Sequence, residues 1–269
     1  MEHAKLLEVI RINPNAIARI EKPSDEMKLM AVGKNGLTLQ YIDSPTREMQ
    51  EAAIGNNVRA IQFIDDPTEE MQVKAVMDGW INLAYIKNPS EDLIKLALTQ
   101  AGWAIKYASN PSEELQLLAV GKNYDAIRFI ADPSERVQLA AVNISYEALR
   151  YIMAPRRSAE LAAIRQNEQA IRFINDLDKN KFFAFLAVNI LVINYDMANV
   201  EITAEELAQV LKSALADEAV AEKYVRDFLN CSAIDRTSVR FPIDKLMFIY
   251  QHGSKKAKRI AVDEKLKMR

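Results

Sequence analysis

The chain has 269 residues, of which 49% are hydrophobic and 27% are charged, and its formal net charge is −2. This hydrophobic fraction is typical of folded proteins and excludes a chain that is disordered throughout. Because the net charge is close to zero, attraction to nucleic acid or to an anionic membrane would require a local basic patch.

Cysteine usage limits the chemistry further. The single cysteine, Cys231, excludes an intramolecular disulfide and a cysteine-rich zinc site. No signal-like segment opens the sequence, and the most apolar run, residues 182–193, is too short to cross a bilayer. We therefore expect a cytoplasmic protein without a membrane segment, a metal site or a cofactor.

An internal repeat dominates the first two thirds of the sequence. Prolines recur every 22 residues at seven positions: Pro23, Pro45, Pro67, Pro89, Pro111, Pro133 and Pro155. A unit this short cannot bury its own apolar face, so consecutive copies must stack on one another. The pattern predicts an all-α fold: an α-solenoid of about seven 22-residue helix-turn-helix repeats over residues 1–177, followed by a helical C-terminal cap or small domain over residues 178–269.

Each proline is predicted to begin a helix of about 11 residues. The residue before it, such as Asp66 or Asn110, is the predicted N-cap, and the acid two residues after it, such as Glu69 or Glu113, is predicted to complete a capping box. An alanine always stands eight residues after the proline, which predicts a close crossing with a neighbouring helix. Asn or Gly a few residues later, such as Asn35, predicts a left-handed stop.

A second helix of about eight residues is predicted before the next proline. Its core residues are three positions apart, as Leu39 and Ile42 are. An aromatic ladder adjoins them, and we predict that its rings pack in or near the core rather than serve as a stacking platform for bases. The rings are Tyr41, Phe63, Tyr85, Tyr107, Phe129, Tyr151 and Phe173.

Glutamine recurs on the first helix, five residues after the proline. This ladder consists of Gln50, Gln72, Gln116 and Gln138. Amides at these positions can form hydrogen bonds from one repeat to the next, or they can lie partly exposed to water. The sequence leaves both arrangements open.

Basic residues recur on the second helix of four consecutive repeats. These four, named here the basic stripe, are Lys106, Arg128, Arg150 and Arg172, and Arg156, Arg157 and Arg165 lie nearby in sequence. Each member of the basic stripe precedes an aromatic residue and lies opposite the core face. Solvated surface charge is the default interpretation of such a stripe, and docking to an acidic protein or to phosphates is the alternative.

The repeat itself resembles known solenoids. The segment 110–120, with its sequence NPSEELQLLAV, is similar to the short helical repeats of uncharacterised bacterial and bacteriophage proteins, and to leucine-rich-repeat-variant and HEAT-like α-solenoids. The resemblance covers residues 1–177 and implies a binding scaffold of bacterial or phage origin, such as an inhibitor or adaptor of a host complex. It implies no catalytic residues.

The C-terminal segment has no repeat. A capping box formed by Thr203 and Glu206 is predicted to open one long helix that reaches Leu229, after an apolar helix around residues 182–193. The last residues form a basic tail, predicted to be frayed and either solubilising or able to contact nucleic acid. Its residues are Lys255, Lys256, Lys258, Arg259, Lys265, Lys267 and Arg269.

Catalytic motifs are missing. The two histidines, His3 and His252, stand at opposite ends of the chain, and no glycine-rich phosphate loop occurs. We therefore expect a non-catalytic scaffold that binds another protein, an acidic one if the basic stripe is used. The alternatives are a nucleic-acid-binding protein that uses the basic stripe and a structural or self-assembling component.

Overall fold

A computed structural model describes residues 2–195 and 200–267 of the chain. These residues form 13 α-helices and nine 3₁₀ helices, without a β-strand. The chain divides into two compact units, Met1–Ala131 and Asp132–Arg269. Among the described helices, none has the length and apolar character needed to cross a membrane. The predicted all-α repeat fold is confirmed.

The first unit consists of six pairs, each an α-helix followed by a 3₁₀ helix. The elements are α1 (Glu2–Ile12), η1 (Pro14–Arg19), α2 (Asp25–Lys34), η2 (Gly36–Tyr41), α3 (Arg47–Asn56), η3 (Val58–Phe63), α4 (Glu69–Asp78), η4 (Trp80–Tyr85), α5 (Glu91–Leu98), η5 (Gly102–Tyr107), α6 (Glu113–Lys122) and η6 (Tyr124–Phe129). Successive α-helices contact one another, and so do successive 3₁₀ helices, so the pairs stack in two layers.

The second unit begins with three pairs of the same kind and ends with four further α-helices. The elements are α7 (Glu135–Ile144), η7 (Tyr146–Tyr151), α8 (Arg157–Gln166), η8 (Glu168–Phe173), α9 (Lys179–Val188), η9 (Ile190–Asn194), α10 (Ala204–Ala216), α11 (Glu222–Asn230), α12 (Lys245–His252) and α13 (Lys255–Lys267). The pair α9–η9 thus follows position 177, where the proline pattern ends. The domain boundary at residue 177 stays a prediction.

The helices of the repeat begin two residues later than the sequence predicts. In α2 to α7 the N-cap is the Ser or Thr after the proline: the Thr68 hydroxyl accepts a hydrogen bond from the Met71 amide at 3.3 Å, and the Ser112 hydroxyl accepts one from the Leu115 amide at 3.4 Å. The predicted N-caps Asp66 and Asn110 are therefore wrong. Because the acids follow the N-cap directly, they interact favourably with the positive end of the helix dipole but do not form a capping box. The structural reason is that the Ser or Thr hydroxyl caps the amide three residues later, so the helix begins after it and the proline lies outside the helix.

The second helix of each pair is a 3₁₀ helix of five or six residues rather than an α-helix of eight. Six residues of 3₁₀ helix rise about 12 Å, close to the roughly 15 Å of a ten-residue α-helix, so the shorter element spans almost the same length. The predicted left-handed stop is also wrong. Asn35 is extended, with φ −146°, and its side chain accepts a hydrogen bond from the Leu37 amide, which caps the 3₁₀ helix.

Small residues set the spacing between successive pairs. The repeated alanine is fully buried in each of the helices α2 to α6, at Ala31, Ala53, Ala75, Ala97 and Ala119. At Gly36 the approach is closer still, because an added Cβ atom would overlap the carbonyl oxygen of Ala53 on the next helix. The Gly36 amide also donates a hydrogen bond to Asn56 at 2.8 Å.

The glutamine ladder forms hydrogen bonds mainly within its own helical turn. Gln72 Nε2 donates to the Pro67 carbonyl at 2.9 Å, and Gln116 Nε2 donates to Pro111 at 3.0 Å. Gln138, which is buried, also reaches the next pair, where its Oε1 accepts a hydrogen bond from the Arg156 amide at 2.8 Å. Of the two arrangements that the sequence left open, bonding from repeat to repeat applies to Gln138.

A different set of amides, at the C-terminal ends of the α-helices, connects one pair to the previous one. Gln100 Nε2 donates to the Val76 carbonyl at 2.7 Å, and its Oε1 accepts from the Trp80 amide at 2.8 Å. Similarly, Asn56 Nδ2 donates a hydrogen bond to the Gly33 carbonyl, and Asn56 Oδ1 accepts one from the Gly36 amide. In the second unit, buried Asn189 donates to the Ile164 carbonyl at 2.8 Å. These side-chain hydrogen bonds satisfy backbone carbonyl groups that have no partner within their own helix, because they lie near its C-terminal end.

The C-terminal helices pack on the last pair. Helix α10 contacts α9, and α11 contacts η9. The predicted capping box between Thr203 and Glu206 is confirmed, but the single long helix is wrong, because the chain leaves the helical conformation between α10 and α11. The predicted fraying of the basic tail is also wrong: α13 buries Ala257, Ile260 and Ala261. Arg269 lies outside the described residues.

A buried tyrosine joins these helices to the repeat. Tyr224 on α11 is 4% exposed, and its hydroxyl donates a hydrogen bond to the Leu186 carbonyl on α9 at 2.9 Å. Burial raises the pKa of Tyr224 well above its ordinary value, so the hydroxyl stays protonated and remains a donor.

Replacing Gly36 with alanine should destabilise the protein by about 1 to 3 kcal/mol, because the new methyl group has no space beside the Ala53 carbonyl. The control is Gly55→Ala in α3, where an added Cβ has no atom within 4 Å; this change should be neutral or stabilising. Chemical denaturation measures both. Equal stabilities of the two variants would contradict the close approach.

Tyr224→Phe should lower the free energy of unfolding by about 1 to 2 kcal/mol, since it leaves the buried Leu186 carbonyl without its hydrogen bond. Tyr250→Phe is the matched control, because Tyr250 is 73% exposed. Thermal unfolding of both variants tests the prediction. A Tyr224→Phe variant as stable as the control would show that the hydroxyl does not stabilise the packing of α11 on α9.

Candidate binding surface

The basic stripe lies on the 3₁₀ helices, where each member is the fifth of six residues. Residues three apart are eclipsed on a 3₁₀ helix, so each element presents separate rows. On η5, Trp103 and Lys106 form the outer row and are both exposed. Ala104 and Tyr107 form the next row, in which Ala104 is buried and Tyr107 is half-buried. The geometry of the 3₁₀ helix therefore places each cation beside an aromatic ring.

In the first unit, the cations of the basic stripe lie over rings. Lys106 Nζ is 5.4 Å from the centre of the Trp80 ring and 4.8 Å from that of Tyr107. The Arg128 guanidinium lies 5.7 Å from the Phe129 ring and forms an ion pair with Asp125, one 3₁₀ turn earlier. Cation–π contacts at exposed positions contribute roughly 0.5–1 kcal/mol each.

The second unit repeats the arrangement with arginine. The Arg150 guanidinium lies 5.7 Å from the Tyr151 ring and 5.5 Å from the Phe173 ring of the following 3₁₀ helix. Phe173 stacks on Tyr146, with ring centres 6.4 Å apart. Arg172 in turn lies 5.4 Å from the Tyr195 ring. Each arginine therefore connects consecutive pairs at the surface.

The aromatic ladder and the basic stripe thus form a shared surface in each unit, named here the cation–aromatic surface. The prediction that the ladder packs in or near the core is wrong for three of its rings, because Tyr41, Tyr85 and Phe129 are 45%, 41% and 41% exposed. Phe63, Tyr107, Tyr151 and Phe173 are half-buried. All seven rings are therefore partly accessible at the surface.

Arg157, which the sequence places near the basic stripe, neutralises a buried carboxylate instead. Its guanidinium lies 3.2 Å from Glu160, which is 1% exposed, and 4.6 Å from the Phe185 ring. Lys181 also contacts Glu160, at 2.9 Å, and Asp176 at 2.6 Å. Burial alone would lower the pKa of Lys181, but hydrogen bonds to Asp176 and Glu160 raise it. The Lys181 ammonium in turn lowers the pKa of the Asp176 carboxyl.

The remaining predicted basic residues lie on other elements. Arg156 is exposed at the beginning of α8, and Arg165 is exposed near the end of the same helix. Lys255, Lys256, Lys258 and Arg259 lie in the first turns of α13. The elements that carry these residues differ from the 3₁₀ helices that carry the basic stripe.

The 22-residue pattern did not predict two further rings that contact the cation–aromatic surface. Trp80 and Tyr146 each occupy the first position of a 3₁₀ helix and contact the cation–aromatic surface. A weak signal exists, because Tyr124 and Tyr146 are also 22 residues apart. Gly36 and Gly102 occupy the same position in other repeats, which conceals the pattern.

Neither a metal site nor a reactive thiol is found among the described residues. In residues 2–195 and 200–267, no three side chains of the His, Cys, Asp or Glu type lie together as they would to hold a metal ion. Cys231 is buried, and burial raises the pKa of its thiol. A protonated, buried thiol is a poor nucleophile.

Comparison of the chain with protein-family models, with curated proteins and with solved structures finds no match. The cation–aromatic surface must therefore be interpreted from its own chemistry.

Proposed function

We propose that the protein is a non-catalytic scaffold that binds another protein through the cation–aromatic surface. The observation that carries the proposal is the position of Arg150 between Tyr151 and Phe173 on an exposed face. Arginine, tyrosine and tryptophan are the residues that dominate binding energy at protein interfaces. Held against rings, a guanidinium loses less conformational freedom on binding than a free side chain does.

Nucleic-acid binding is the second candidate, and the recurrence of the basic stripe favours it. A periodic row of cations matches a row of phosphates. However, Arg128 is paired with Asp125, and its guanidinium lies 5.7 Å from the centre of the Phe129 ring, one of the rings on which bases would stack. The net charge of −2 adds no general attraction to a polyanion. These features favour a protein partner.

The proposal also covers the origin of the protein and its role in the cell. The resemblance of the repeat to bacterial and bacteriophage solenoids supports an adaptor or inhibitor that acts on a host complex in the cytoplasm. Self-assembly is the third candidate. The proposal of a non-catalytic role is supported by the lack, among the described residues, of a His, Cys, Asp or Glu cluster that could hold a metal ion, and by the burial of Cys231.

Replacing Arg150 and Arg172 together with alanine should weaken partner binding at least about thirtyfold, the loss expected when hot-spot residues are truncated. Immobilised full-length protein captures partners from a bacterial lysate, and quantitative mass spectrometry compares the variants. The control is the double variant Arg156→Ala and Arg165→Ala, which removes the same charge from exposed positions on α8. It should retain the partner at the wild-type level.

Nucleic acid retention at increasing salt separates the two functions. A protein binder should retain duplex and single-stranded nucleic acid weakly at physiological salt, with no dependence on Arg150 and Arg172. Strong retention that falls steeply with salt, and whose salt dependence becomes shallower in the Arg150→Ala, Arg172→Ala variant, would replace the proposal with the second candidate. A partner captured equally by all variants would exclude the cation–aromatic surface of the second unit.

A further inference from the structure

A second exposed apolar surface lies in the C-terminal helices, away from the 3₁₀ helices of the repeat. Helices α12 and α13 contact each other and leave a groove of about 400 Å³ between them. Its floor is formed by Ile249 and Ala261, which are 1% and 6% exposed. Its walls are Leu246 and Tyr250 on α12 and Val262 on α13.

The three side chains that form the walls of this groove are each more than 40% exposed. Leu246 is 42% exposed, Tyr250 is 73% exposed and Val262 is 59% exposed. Leu246 and Tyr250 are four residues apart, so they lie on one face of α12. A contiguous exposed apolar patch of this kind is a common sign of a binding site.

The rim of the groove is basic. Lys258 and Lys265 on α13 line it, and neither forms an ion pair with any residue that the structure describes. Of the charged residues in α13, six are basic and two are acidic. One of the acids, Glu264, is already bound by Arg226 and Lys267. The groove therefore combines an apolar floor with cations that lack anionic partners.

We propose that this groove binds an amphipathic α-helix of a partner protein, one with large apolar residues on one face and acidic residues beside them. A groove between two helices accepts a third helix, whose residues at i, i+3, i+4 and i+7 fill it. Lys258 and Lys265 are separated by seven residues, or about 10.5 Å along the helix. A partner helix lying along α13 then carries its acids about two turns apart.

Charge decides between this occupant and a second copy of the chain. In a symmetric dimer through the groove, Lys258 and Lys265 of one copy would lie near the same cations of the other, and like charges at an interface oppose association. Nucleic acid fits less well, because Leu246, Ile249 and Val262 offer phosphates no hydrogen-bond donors. An acidic amphipathic helix satisfies both the apolar floor and the basic rim.

The groove continues past Leu246, Ala261 and Lys265 into an adjoining cavity of about 280 Å³. This cavity is lined by charges of both signs, including Arg236, Asp244 and Lys245. A helix that follows the groove would therefore reach a polar end, where its terminal backbone groups could find hydrogen-bond partners. The arrangement favours a helix longer than the two turns between the lysines.

Fluorescence anisotropy with the full-length protein tests the proposal. The probe is a fluorescein-labelled helical peptide of about 18 residues, with leucines at the i, i+3, i+4 and i+7 spacing and two flanking glutamates seven residues apart. Comparison peptides replace the glutamates with lysines, or scramble the order so that the leucines no longer share a face. The glutamate peptide should bind saturably, and the other two should bind at least about tenfold more weakly.

Two variants with matched controls locate the site. Val262→Asp should weaken binding at least about tenfold, whereas Val239→Asp, at a fully exposed position outside the groove, should not change it. Lys258→Glu with Lys265→Glu should weaken binding of the glutamate peptide and strengthen binding of the lysine peptide. Lys255→Glu with Arg259→Glu makes the same charge change on α13 away from the groove, and it should leave the wild-type preference intact.

Several results would overturn the proposal. One is the lack of saturable binding of the glutamate peptide up to about 100 µM. Another is equal weakening by groove and control variants that circular dichroism shows to be folded. A third is a dimer in sedimentation that Val262→Asp dissociates, because it would identify the occupant as a second copy. None of these results bears on the cation–aromatic surface, since no substituted residue belongs to it.

Discussion

The close contact between one α–3₁₀ pair and the next is the constraint on which the repeat depends. The pairs consist of α-helices of 8 to 11 residues and 3₁₀ helices of five or six residues, and elements this short are not stable alone. Buried alanines let neighbouring α-helices approach, and at Gly36 even a methyl group is excluded by the Ala53 carbonyl. The amides of Asn56 and Gln100 then satisfy backbone groups of the preceding pair. Apolar burial and hydrogen bonding thus both stabilise the contact between one pair and the next.

The same geometry creates the cation–aromatic surface. A 3₁₀ helix turns once every three residues, and the residue after the core Leu149 or Ile171 falls on the row that faces outward and is exposed. In η7 and η8 this outward position holds Arg150 and Arg172, and the ring beside it is only partly covered. Because neighbouring 3₁₀ helices contact one another, a guanidinium on η7 reaches Phe173 on η8. The cation–aromatic surface is therefore a direct consequence of stacking.

Charge has different roles at the two ends of the second unit. Near the beginning of α8 and α9, Glu160 is buried but fully compensated by Arg157 and Lys181, as a buried carboxylate must be. On α13, by contrast, Lys258 and Lys265 border an apolar groove without ion-pair partners among the described residues. The first arrangement stabilises the fold. The second leaves apolar area exposed beside two lysines, of which Lys258 lies 5.9 Å from the centre of the Tyr250 ring.

The sequence by itself determined the repeat, its all-α character and the core positions, because the period of proline, alanine and isoleucine reports which side chains must be buried. It did not determine the helix starts, since Asp66 and Thr68 are both good N-caps and only the packed backbone selects Thr68. It could not separate a 3₁₀ helix from an α-helix either, because residues three apart, such as Leu39 and Ile42, share a face in both. The contacts of Lys106 with Trp80 and of Tyr224 with Leu186 join residues whose proximity no local pattern encodes. Tertiary packing decided these features, since the free energy that favours them arises only when distant segments exclude water together.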